Sequence, residues 1–420
     1  MTIILCLFIA FFVGVPICFA LGIVSIGSLI ASGMPLIVTV QRMFTGGDSI
    51  ALIAIPLFML SGELMFRGGM SKRLVDFADT LLGHFPSGLA MVSILACMFF
   101  AAITGSAIAA TAAIGGIMIP LMKERGYEYT FSAPLLACGG SIGPIIPPSI
   151  PLLVYGVLAS VSVADLYVGG VIPGILMGIG LMIYSYFVGK KRGYMGRETR
   201  ASFREVVKSA VNALLALFMP VIILGGIYGS IFTPTEAAAV SVFYGLIVGV
   251  FIYHEIDFKK MKDILVDSCS TTATVMFITM GATLFGYVLT RARLDLAIEG
   301  FMMNVTGGSS IIFFIIVNIV LLIAGCFLDS TSALYIFTPL FAPVALQLGI
   351  DPIHLGTVMI VNLAVGLFTP PVGVNLYVAC GIGKIKIEEI TKGIAPCLVA
   401  ELVVLLLVTY IPALSTMLVG

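Results

Sequence analysis

Two stretches decide the fold: Gly139-Gly-Ser-Ile-Gly-Pro-Ile-Ile-Pro-Pro-Ser149 and Gly366-Leu-Phe-Thr-Pro-Pro-Val-Gly-Val-Asn375. Each contains the pattern Gly-x-x-x-Pro-Pro inside an otherwise apolar segment. Proline has no backbone N–H and disfavours a helical residue before it, so a Pro-Pro pair forces an unwound turn. Both segments are therefore predicted to be helices that are broken in the middle, with free backbone carbonyls at the break.

The two breaks belong to a pattern that occurs twice, with an offset of 223 residues. In each copy a polar cluster precedes the Pro-Pro pair by 41 residues; it is Ser106-Ala-Ile-Ala-Ala110 in the first and Asp329-Ser-Thr-Ser-Ala333 in the second. The positions in register are Ala110/Ala333, Pro120/Pro343, Gly143/Gly366, Pro147/Pro370 and Pro148/Pro371. A duplicated Gly/Pro interruption in hydrophobic segments is the sequence feature that points to the binding site of a repeat-built transporter.

The composition is that of an integral membrane protein. The 420 residues are 60% hydrophobic and 10% charged, with a mean hydropathy of +1.19, values far from those of soluble domains. The formal net charge of zero argues against a nucleic-acid partner. The eight cysteines lie in or beside apolar runs without metal-ligand spacing, so they are predicted to pack as small hydrophobic residues. No cofactor is predicted.

Apolar segments long enough to cross a bilayer recur along the chain. The predicted full crossings are Ile3–Ala31, Ile50–Phe66, Phe131–Ala159, Val168–Val188, Ala210–Ile231, Ala237–Tyr253, Cys269–Thr290, Leu355–Ala379 and Ile394–Leu414. The first of these is too long for a signal peptide and lacks a basic segment before it. Two further regions, Gly88–Met122 and Ser310–Leu346, have small and polar residues at their centres. Each is either one long kinked helix or a re-entrant helical hairpin.

The distribution of basic residues favours the hairpins. If both hairpins return to their own side and the N-terminus is cytoplasmic, 18 Lys and Arg residues fall on the cytoplasmic side and 3 on the other. The C-terminus is then periplasmic. The chain divides into inverted repeats, residues 1–190 and 210–420, joined by a cytoplasmic linker over residues 191–209. The first repeat has its hairpin at 88–122 and its broken helix at 131–159; the second has them at 310–346 and 355–379. Met70–Gly83 and Leu294–Met303 are predicted to be amphipathic arms on the membrane surface.

Polar hairpin tips that face unwound helices predict two cation sites with a solute between them. Hydroxyl and carbonyl oxygens suit Na⁺, and the positive ends of half-helices suit an anionic solute. The expected Na⁺ ligands are Ser106, Gly139, Gly143 and Pro147 in the first half, and Asp329, Ser332, Gly366, Thr369 and Val372 in the second. The expected solute ligands are Thr104, Ser106, Ser149, Ser330, Thr331 and Asn375.

Structural interpretations of the same residues stay open. The Pro-Pro pairs could only kink helices, with nearby Ser and Thr hydroxyls bonding to carbonyls of their own helices. Asp329, an ionisable residue at a mid-membrane tip, could ligate a cation, carry a proton or cap the second hairpin helix. Glu236 follows Thr233-Pro234-Thr235, which indicates a helix start. Glu401 has no evident role in the sequence.

The chain is not predicted to be an enzyme, because no nucleophile–base pair or metal cluster is visible near the middle of the membrane. A channel would need a continuous polar pore, whereas the polar groups cluster at two points. An ion-coupled carrier is therefore the favoured class.

The stretch Gly229-Ser-Ile-Phe-Thr-Pro-Thr-Glu-Ala-Ala-Ala-Val240 resembles the signature of the large (M, DctM-like) membrane subunit of tripartite ATP-independent periplasmic (TRAP) transporters. Ile55-Pro-Leu-Phe-Met-Leu-Ser-Gly-Glu63, Gly105-Ser-Ala-Ile-Ala-Ala-Thr111 and the two breaks support the resemblance, which extends over essentially the whole chain.

The resemblance implies an elevator-type fold of the ion transporter superfamily and Na⁺-driven import of an organic acid, such as a C4-dicarboxylate or a sialic acid, across the bacterial inner membrane. It also implies two partners, a small four-helix membrane subunit and a periplasmic solute-binding protein. The alternative is an ion-coupled anion transporter that works without a binding protein.

The predicted topology is testable with reporter fusions. Alkaline phosphatase fused to the C-terminus should be active, because that end is predicted to be periplasmic, and a fusion at Met195 should be inactive. The reverse pair of activities would overturn the predicted orientation and the inversion of the repeats.

Overall fold

The structure is a computed structural model that describes residues 2–197 and 199–419, and all side chains in these ranges except those of residues 2, 4, 12 and 295. The described residues form helices joined by turns and short connections, and they contain no β-strand. This confirms the prediction of an all-α membrane protein.

The N-terminal part differs in detail from the prediction. The expected first crossing Ile3–Ala31 consists of two helices, α1 (Thr2–Phe12) and α2 (Ile17–Ala31), separated by Gly14 with φ +84° and by Pro16. Next comes α3 (Ile37–Gly47), a helix that the sequence reading did not include. It is bent by 66° relative to the following segment Ala51–Arg67, which holds a short 3₁₀ turn and α4 (Ala54–Arg67).

The rest of the first half contains four kinds of element in a fixed order. An amphipathic arm is followed by a pair of packed helices, two half-helices around a break, and one long helix. They are α5 (Met70–Leu82), α6 (Gly88–Thr104) with α7 (Ala107–Glu124), α8 (Tyr129–Gly140) with α9 (Ile150–Ala159), and α10 (Val163–Arg192).

The same order returns in the second half, after three helices that precede the arm. Those three are α11 (Phe203–Tyr228), α12 (Pro234–Leu246, continued by a π-helical turn over Ile247–Ile252) and α13 (Phe258–Arg291). The arm, helix pair, half-helices and long helix are α14 (Leu294–Thr306), α15 (Ser310–Gly325) with α16 (Ser330–Gln347), α17 (Pro352–Gly366) with α18 (Val374–Gly383), and α19 (Ile387–Tyr410). The short α20 (Ala413–Thr416) follows.

The described helices include six that are long and apolar enough to cross a membrane, or up to eight if each of two bent pairs counts as one span. The six are Ala107–Glu124, Val163–Arg192, Phe203–Tyr228, Pro234–Ile252, Phe258–Arg291 and Ile387–Tyr410. The second bent pair, Leu296–Thr306 with Ser310–Gly325, turns by 119° at Gly307 and Gly308, whose φ angles are +56° and +79°. Glycine adopts this left-handed conformation without steric cost. The two glycines therefore allow the sharp bend between the arm α14 and α15.

The start of α12 confirms the role predicted for Glu236. Thr233 is the N-cap, and its hydroxyl oxygen accepts a hydrogen bond from the Glu236 amide at 3.3 Å. The Glu236 carboxylate in turn accepts from the Thr233 amide at 2.8 Å. This reciprocal arrangement is a capping box, and it accounts for the Thr-Pro-Thr-Glu sequence without a transport role.

The segment that follows α10 packs over the junction between the arm α5 and α6. The Arg197 amide donates to the Gly83 carbonyl at 2.7 Å, and the Ser87 amide donates to the Tyr194 carbonyl at 2.9 Å. The Arg197 guanidinium also pairs with Asp79 at 3.0 Å. Partial burial raises the pKa of the Asp79 carboxyl, and the adjacent Arg197 charge lowers it in part. The part of the predicted linker that precedes residue 198 is therefore bound to the first arm.

Two half-helices form the centre of the molecule. Every residue from Phe131 to Gly140 of α8 is buried, and so is every residue from His354 to Gly366 of α17. A helix that is apolar and buried all round can exist only inside a protein core or within a membrane protein bundle. The first break is buried as well, whereas the second is partly exposed, with Pro371 at the surface of the described residues.

Gly325 at the end of α15 touches Gly366 at the end of α17. A Cβ atom added to Gly366 would lie 2.6 Å from the Cα of Gly325, and one added to Gly325 would lie 3.0 Å from the Cα of Gly366. Both neighbours are backbone atoms, which cannot move aside as a flexible side chain can. The paired glycines thus allow the second helix pair to rest directly on the second break.

Gly366→Ala should lower the stability of the protein, because the added methyl group overlaps the backbone of α15. The cost of such overpacking is about 1–3 kcal/mol, measurable by thermal unfolding in detergent. Gly381→Ala, on the exposed side of α18 with nothing within 4 Å of the added Cβ, is the matched control and should be neutral or slightly stabilising. Equal effects of the two variants would contradict the close contact.

Candidate functional site

The first tip rests on the first break through glycines. Gly105 forms the tip with φ +60°, and a Cβ there would lie 2.1 Å from the Pro148 carbonyl oxygen. A Cβ on Gly143 would lie 2.7 Å from the backbone carbon of Ser106. Ser106 and Gly143, two of the four predicted Na⁺ ligands in this half, are therefore in backbone contact, with Pro147 next to Pro148 in the break.

Ser149 is already engaged in bonds within the break. Its hydroxyl donates to the Pro144 carbonyl and accepts from the Leu152 amide at 3.1 Å, which caps α9. The side chain is fully buried. Ser149 thus stabilises the conformation of the unwound segment. This role is additional to the predicted contact with solute.

The hydroxyls of the first tip differ in how they are bonded. Thr104 donates to the Phe100 carbonyl at 3.3 Å, and Ser106 caps α7 by accepting from the Ala109 amide at 3.4 Å. Thr111, by contrast, is fully buried and its hydroxyl oxygen has no hydrogen-bond partner among the described residues. That hydroxyl lies against Gly140 at the end of α8, where a Cβ would be 2.0 Å from it. Thr111 therefore offers a free oxygen directly at the first break.

At the second tip, Asp329 caps α16. Its carboxylate accepts from the Ser332 amide at 3.1 Å and from the Ser332 hydroxyl. The capping interpretation of Asp329 is thus realised in the structure, and the carboxylate, half-buried, keeps acceptor capacity for another ligand. Ser330 and Thr331 are buried beside it, and the Ser330 hydroxyl has no partner among the described residues.

The second break is tied to its tip by a backbone bond. The Gly373 amide donates to the Cys326 carbonyl at 3.1 Å, and Gly366 contacts Gly325 as described above. Thr369, just after α17, donates to the carbonyl of Val365 in the last turn of that helix at 2.7 Å, an i−4 bond of the kind that the structural interpretation expects. The predicted ligands Thr369 and Val372 lie in the unwound segment, with both side chains half-buried.

The two halves meet at Asn375, the first polar residue after the second break. Its side-chain amide donates to the Ala137 carbonyl of α8 at 3.2 Å. The amide oxygen of this fully buried residue has no partner among the described residues. The half-helices also pack crosswise, α9 against α16 and α18 against α7. Each break is therefore bordered by elements of both halves, and Asn375 presents a free acceptor where they join.

A network of hydrogen bonds between buried polar side chains connects α15, α17, α19 and α20, and it was not predicted from the sequence. The Asn362 amide donates to the Asn318 side-chain oxygen at 2.8 Å, and the Asn318 amide donates to the Thr409 hydroxyl at 3.2 Å. His354 Nε2 lies 3.2 Å from the Thr409 carbonyl and Nδ1 lies 2.7 Å from the Ser415 hydroxyl. A carbonyl only accepts, so Nε2 carries the proton. Isolated Asn and His residues in apolar segments were the only feature of the sequence that could have indicated this network.

The chemistry available at the two sites is that of hard oxygen ligands. Carbonyls of the unwound segments, the free hydroxyls of Thr111 and Ser330 and the Asp329 carboxylate can replace the hydration shell of a small cation. Within residues 2–197 and 199–419 no group of three or more His, Cys, Asp or Glu side chains could hold a metal ion. The four ion pairs of the described side chains lie elsewhere, on Arg67, Arg192 and Arg197.

Residues 4–414 match the family model of the "tripartite ATP-independent periplasmic transporter, DctM component". The isethionate TRAP transporter permease protein DctMQ of Oleidesulfovibrio alaskensis is 44% identical over 97% of this chain, which spans 64% of that protein's length. The C4-dicarboxylate TRAP transporter large permease protein DctM of Pseudomonas aeruginosa is 42% identical, covering 89% of this chain and 87% of its own. The sialic acid TRAP transporter large permease protein SiaM of Vibrio cholerae is 39% identical over 97% and 95%.

Among solved structures, the YdaH transporter of Alcanivorax borkumensis superposes with a TM-score of 0.53, covering 88% of this chain and 86% of that one. At 13% sequence identity this similarity concerns the fold alone. The family model, by contrast, covers almost the whole chain, and relatives at 39–44% identity extend over most of it. The chain therefore belongs to the DctM family of large permease components of TRAP transporters.

Proposed function

We propose that this chain carries a small organic acid across the bacterial inner membrane together with Na⁺, as the large permease subunit of a TRAP transporter. The observation that carries the proposal is the pair of tip-on-break contacts, one in each half. Each brings unwound backbone together with hydroxyl or carboxylate oxygens, next to the buried half-helices α8 and α17. Such broken helices are where transporters bind solute and coupling ions.

Within this proposal, Na⁺ binds at both breaks and solute binds between them. The first cation site uses the backbone around Gly139–Pro147 with Ser106, and Thr111 adds a free hydroxyl. The second uses Asp329, Ser332 and the segment from Gly366 to Val372. The solute carboxylate faces Thr104, Ser106, Ser149, Ser330, Thr331 and Asn375 and the positive N-terminal ends of the half-helices. Asn375 is well placed because its free oxygen lies where the halves meet.

The driving force follows from electrostatics. Moving one elementary charge through 100 mV is worth about 2.3 kcal/mol, so two Na⁺ ions contribute about 4.6 kcal/mol with a neutral solute. An anionic solute offsets part of this. The relatives' names specify isethionate, C4-dicarboxylate and sialic acid, so the solute is assigned here only as a small organic acid. In the elevator motion that we propose, the hairpins and broken helices move as one body past the remaining helices.

The proposed partners are a small four-helix membrane subunit and a periplasmic solute-binding protein. The relatives are named as permease components of tripartite systems, which supports this assignment. The proposed orientation, with the N-terminus cytoplasmic and the C-terminus periplasmic, rests on the distribution of basic residues. A carrier that takes its anion directly from the periplasm is the competing function.

Reconstitution separates these two functions. The purified chain alone in proteoliposomes with an inward Na⁺ gradient should show negligible uptake of labelled solute. Adding the small subunit and solute-loaded binding protein should restore uptake, and collapsing the Na⁺ gradient should abolish it. Concentrative uptake by the chain alone would establish the stand-alone carrier, and uptake by the full assembly without Na⁺ would refute the proposed coupling.

The role of Asp329 can be separated from its capping bond. Asp329→Asn keeps a side chain that caps helices well and removes the charge. We expect the half-saturation concentration for Na⁺ to rise about tenfold, which corresponds to about 1.4 kcal/mol.

Asp351→Asn is the matched control. Asp351 caps α17 by accepting from the Ile353 amide at 2.7 Å, and it lies outside the proposed sites, so its Na⁺ dependence should stay unchanged. An unchanged half-saturation concentration in Asp329→Asn would exclude Asp329 as a Na⁺ ligand.

A further inference from the structure

Glu401 is a buried acid without a counter-charge. It lies in the middle of α19, its side chain is 0% exposed, and neither carboxyl oxygen has a hydrogen-bond partner among the described residues. The helices that pack against α19 are α8, α10, α17 and α18, with α20 continuing the chain beyond it. The transport sites described above do not use this residue.

The titratable groups next to Glu401 are two thiols: Cys397 lies one turn earlier on α19, and Cys138 comes from α8. Tyr184 of α10 lies beside these two thiols. On α18, Cys380 lies near Glu388 and Glu389 at the start of α19 instead. The titratable residue of α17, His354, is bonded to Thr409 and Ser415, about two turns beyond Glu401.

Cations are confined to the ends of these helices. The basic residues of α10 are Lys190, Lys191 and Arg192, all in its last turn. On α19 the single basic residue is Lys392, nine positions before Glu401, which is about 13 Å along a helix. Helix α8 contains no Lys or Arg. No positive side chain on these elements is therefore placed to neutralise the carboxylate.

A charge in this position is costly. Moving an isolated carboxylate from water into an apolar interior costs far more than the stability of a typical protein, so such a group takes up a proton instead. Burying the neutral acid costs much less free energy, because its carbonyl oxygen and hydroxyl are only unpaired polar groups. The surroundings of Glu401 thus favour the protonated form.

We propose that Glu401 is a proton-binding site between α8, α10 and α19, and that the bound proton is required for the packing seen here. Cys138, its neighbour on α8, directly precedes Gly139 and Gly140, where the first break begins. Loss of the proton would place a charge against the end of α8 and loosen its contact with α19. The site takes a proton as its ligand whether or not Na⁺ is the coupling ion.

Infrared spectroscopy tests the bound proton directly. Wild-type protein in nanodiscs at about pH 8, well above the ordinary range for glutamate, should show the carbonyl stretch of a protonated carboxylic acid. Glu401→Gln should lose this band. Glu389→Gln, which removes an exposed acid from the same helix, should keep it. Absence of the band from the wild type, or its persistence in Glu401→Gln, would overturn the proposal.

The effect on packing is read from thermal unfolding between about pH 6 and about pH 9. A group that is protonated in the folded protein and ionised in the unfolded chain favours folding most below its unfolded-state pKa, and this contribution falls as the pH rises from there to the folded-state pKa. The melting temperature of the wild type and of Glu389→Gln should therefore fall by several degrees more than that of Glu401→Gln.

Glu401→Met, an apolar residue of similar length, serves as a second variant should the glutamine variant not fold, and it too should lose the excess pH slope. If a folded Glu401 variant keeps the wild-type slope, Glu401 is not the group that binds the proton.

Discussion

The structure depends on one constraint: unwound backbone inside a membrane protein must be covered by other protein groups. A bilayer offers no water to satisfy free amides and carbonyls, so irregular segments persist at that depth only when protein buries them or they line a cavity. Each break contacts a helix-pair tip from its own half, and the second break is exposed at Pro371. The contacts are glycine to proline in the first half and glycine to glycine in the second.

This constraint explains why the sites carry free oxygens. Glycines bring two backbones together without side chains between them, so groups beside the contact have little freedom to find partners. Thr111, Ser330 and Asn375 are buried near the breaks, each with an oxygen that has no hydrogen-bond partner among the described residues. Leaving such a group unsatisfied costs about 1–3 kcal/mol, a penalty that the ion or solute proposed above would remove. In this proposal, the close backbone packing at each break also leaves the oxygens that would bind the ligand.

Much of this arrangement could be predicted because it depends on local rules. Hydrophobic length indicated the crossings, the Gly-x-x-x-Pro-Pro pattern indicated the breaks, and Thr-Pro-Thr-Glu indicated the start of α12, which the capping bonds of Glu236 confirm. Helix α3 lies outside the predicted crossings because its 11 residues are too few to span a bilayer and include Gln41 and Arg42. The bond from Asn375 to Ala137 joins residues 238 positions apart, and no periodic pattern carries that pairing. The hydrogen-bond network from Asn362 to Ser415 was not predicted for the same reason.

Asp329 and Glu401 show how different surroundings give two carboxyl groups different roles. Asp329 is half-buried, and its carboxylate accepts hydrogen bonds from the amide and the hydroxyl of Ser332. Glu401 is fully buried, and its carboxyl oxygens have no hydrogen-bond partner among the described residues, which is the basis of the proton site proposed above. A carboxylate held ready at a tip suits exchange of a cation with solvent during a transport cycle. An acid sealed between three helices can exchange its proton only when those helices separate, which ties its occupancy to packing rather than to the ion concentration outside.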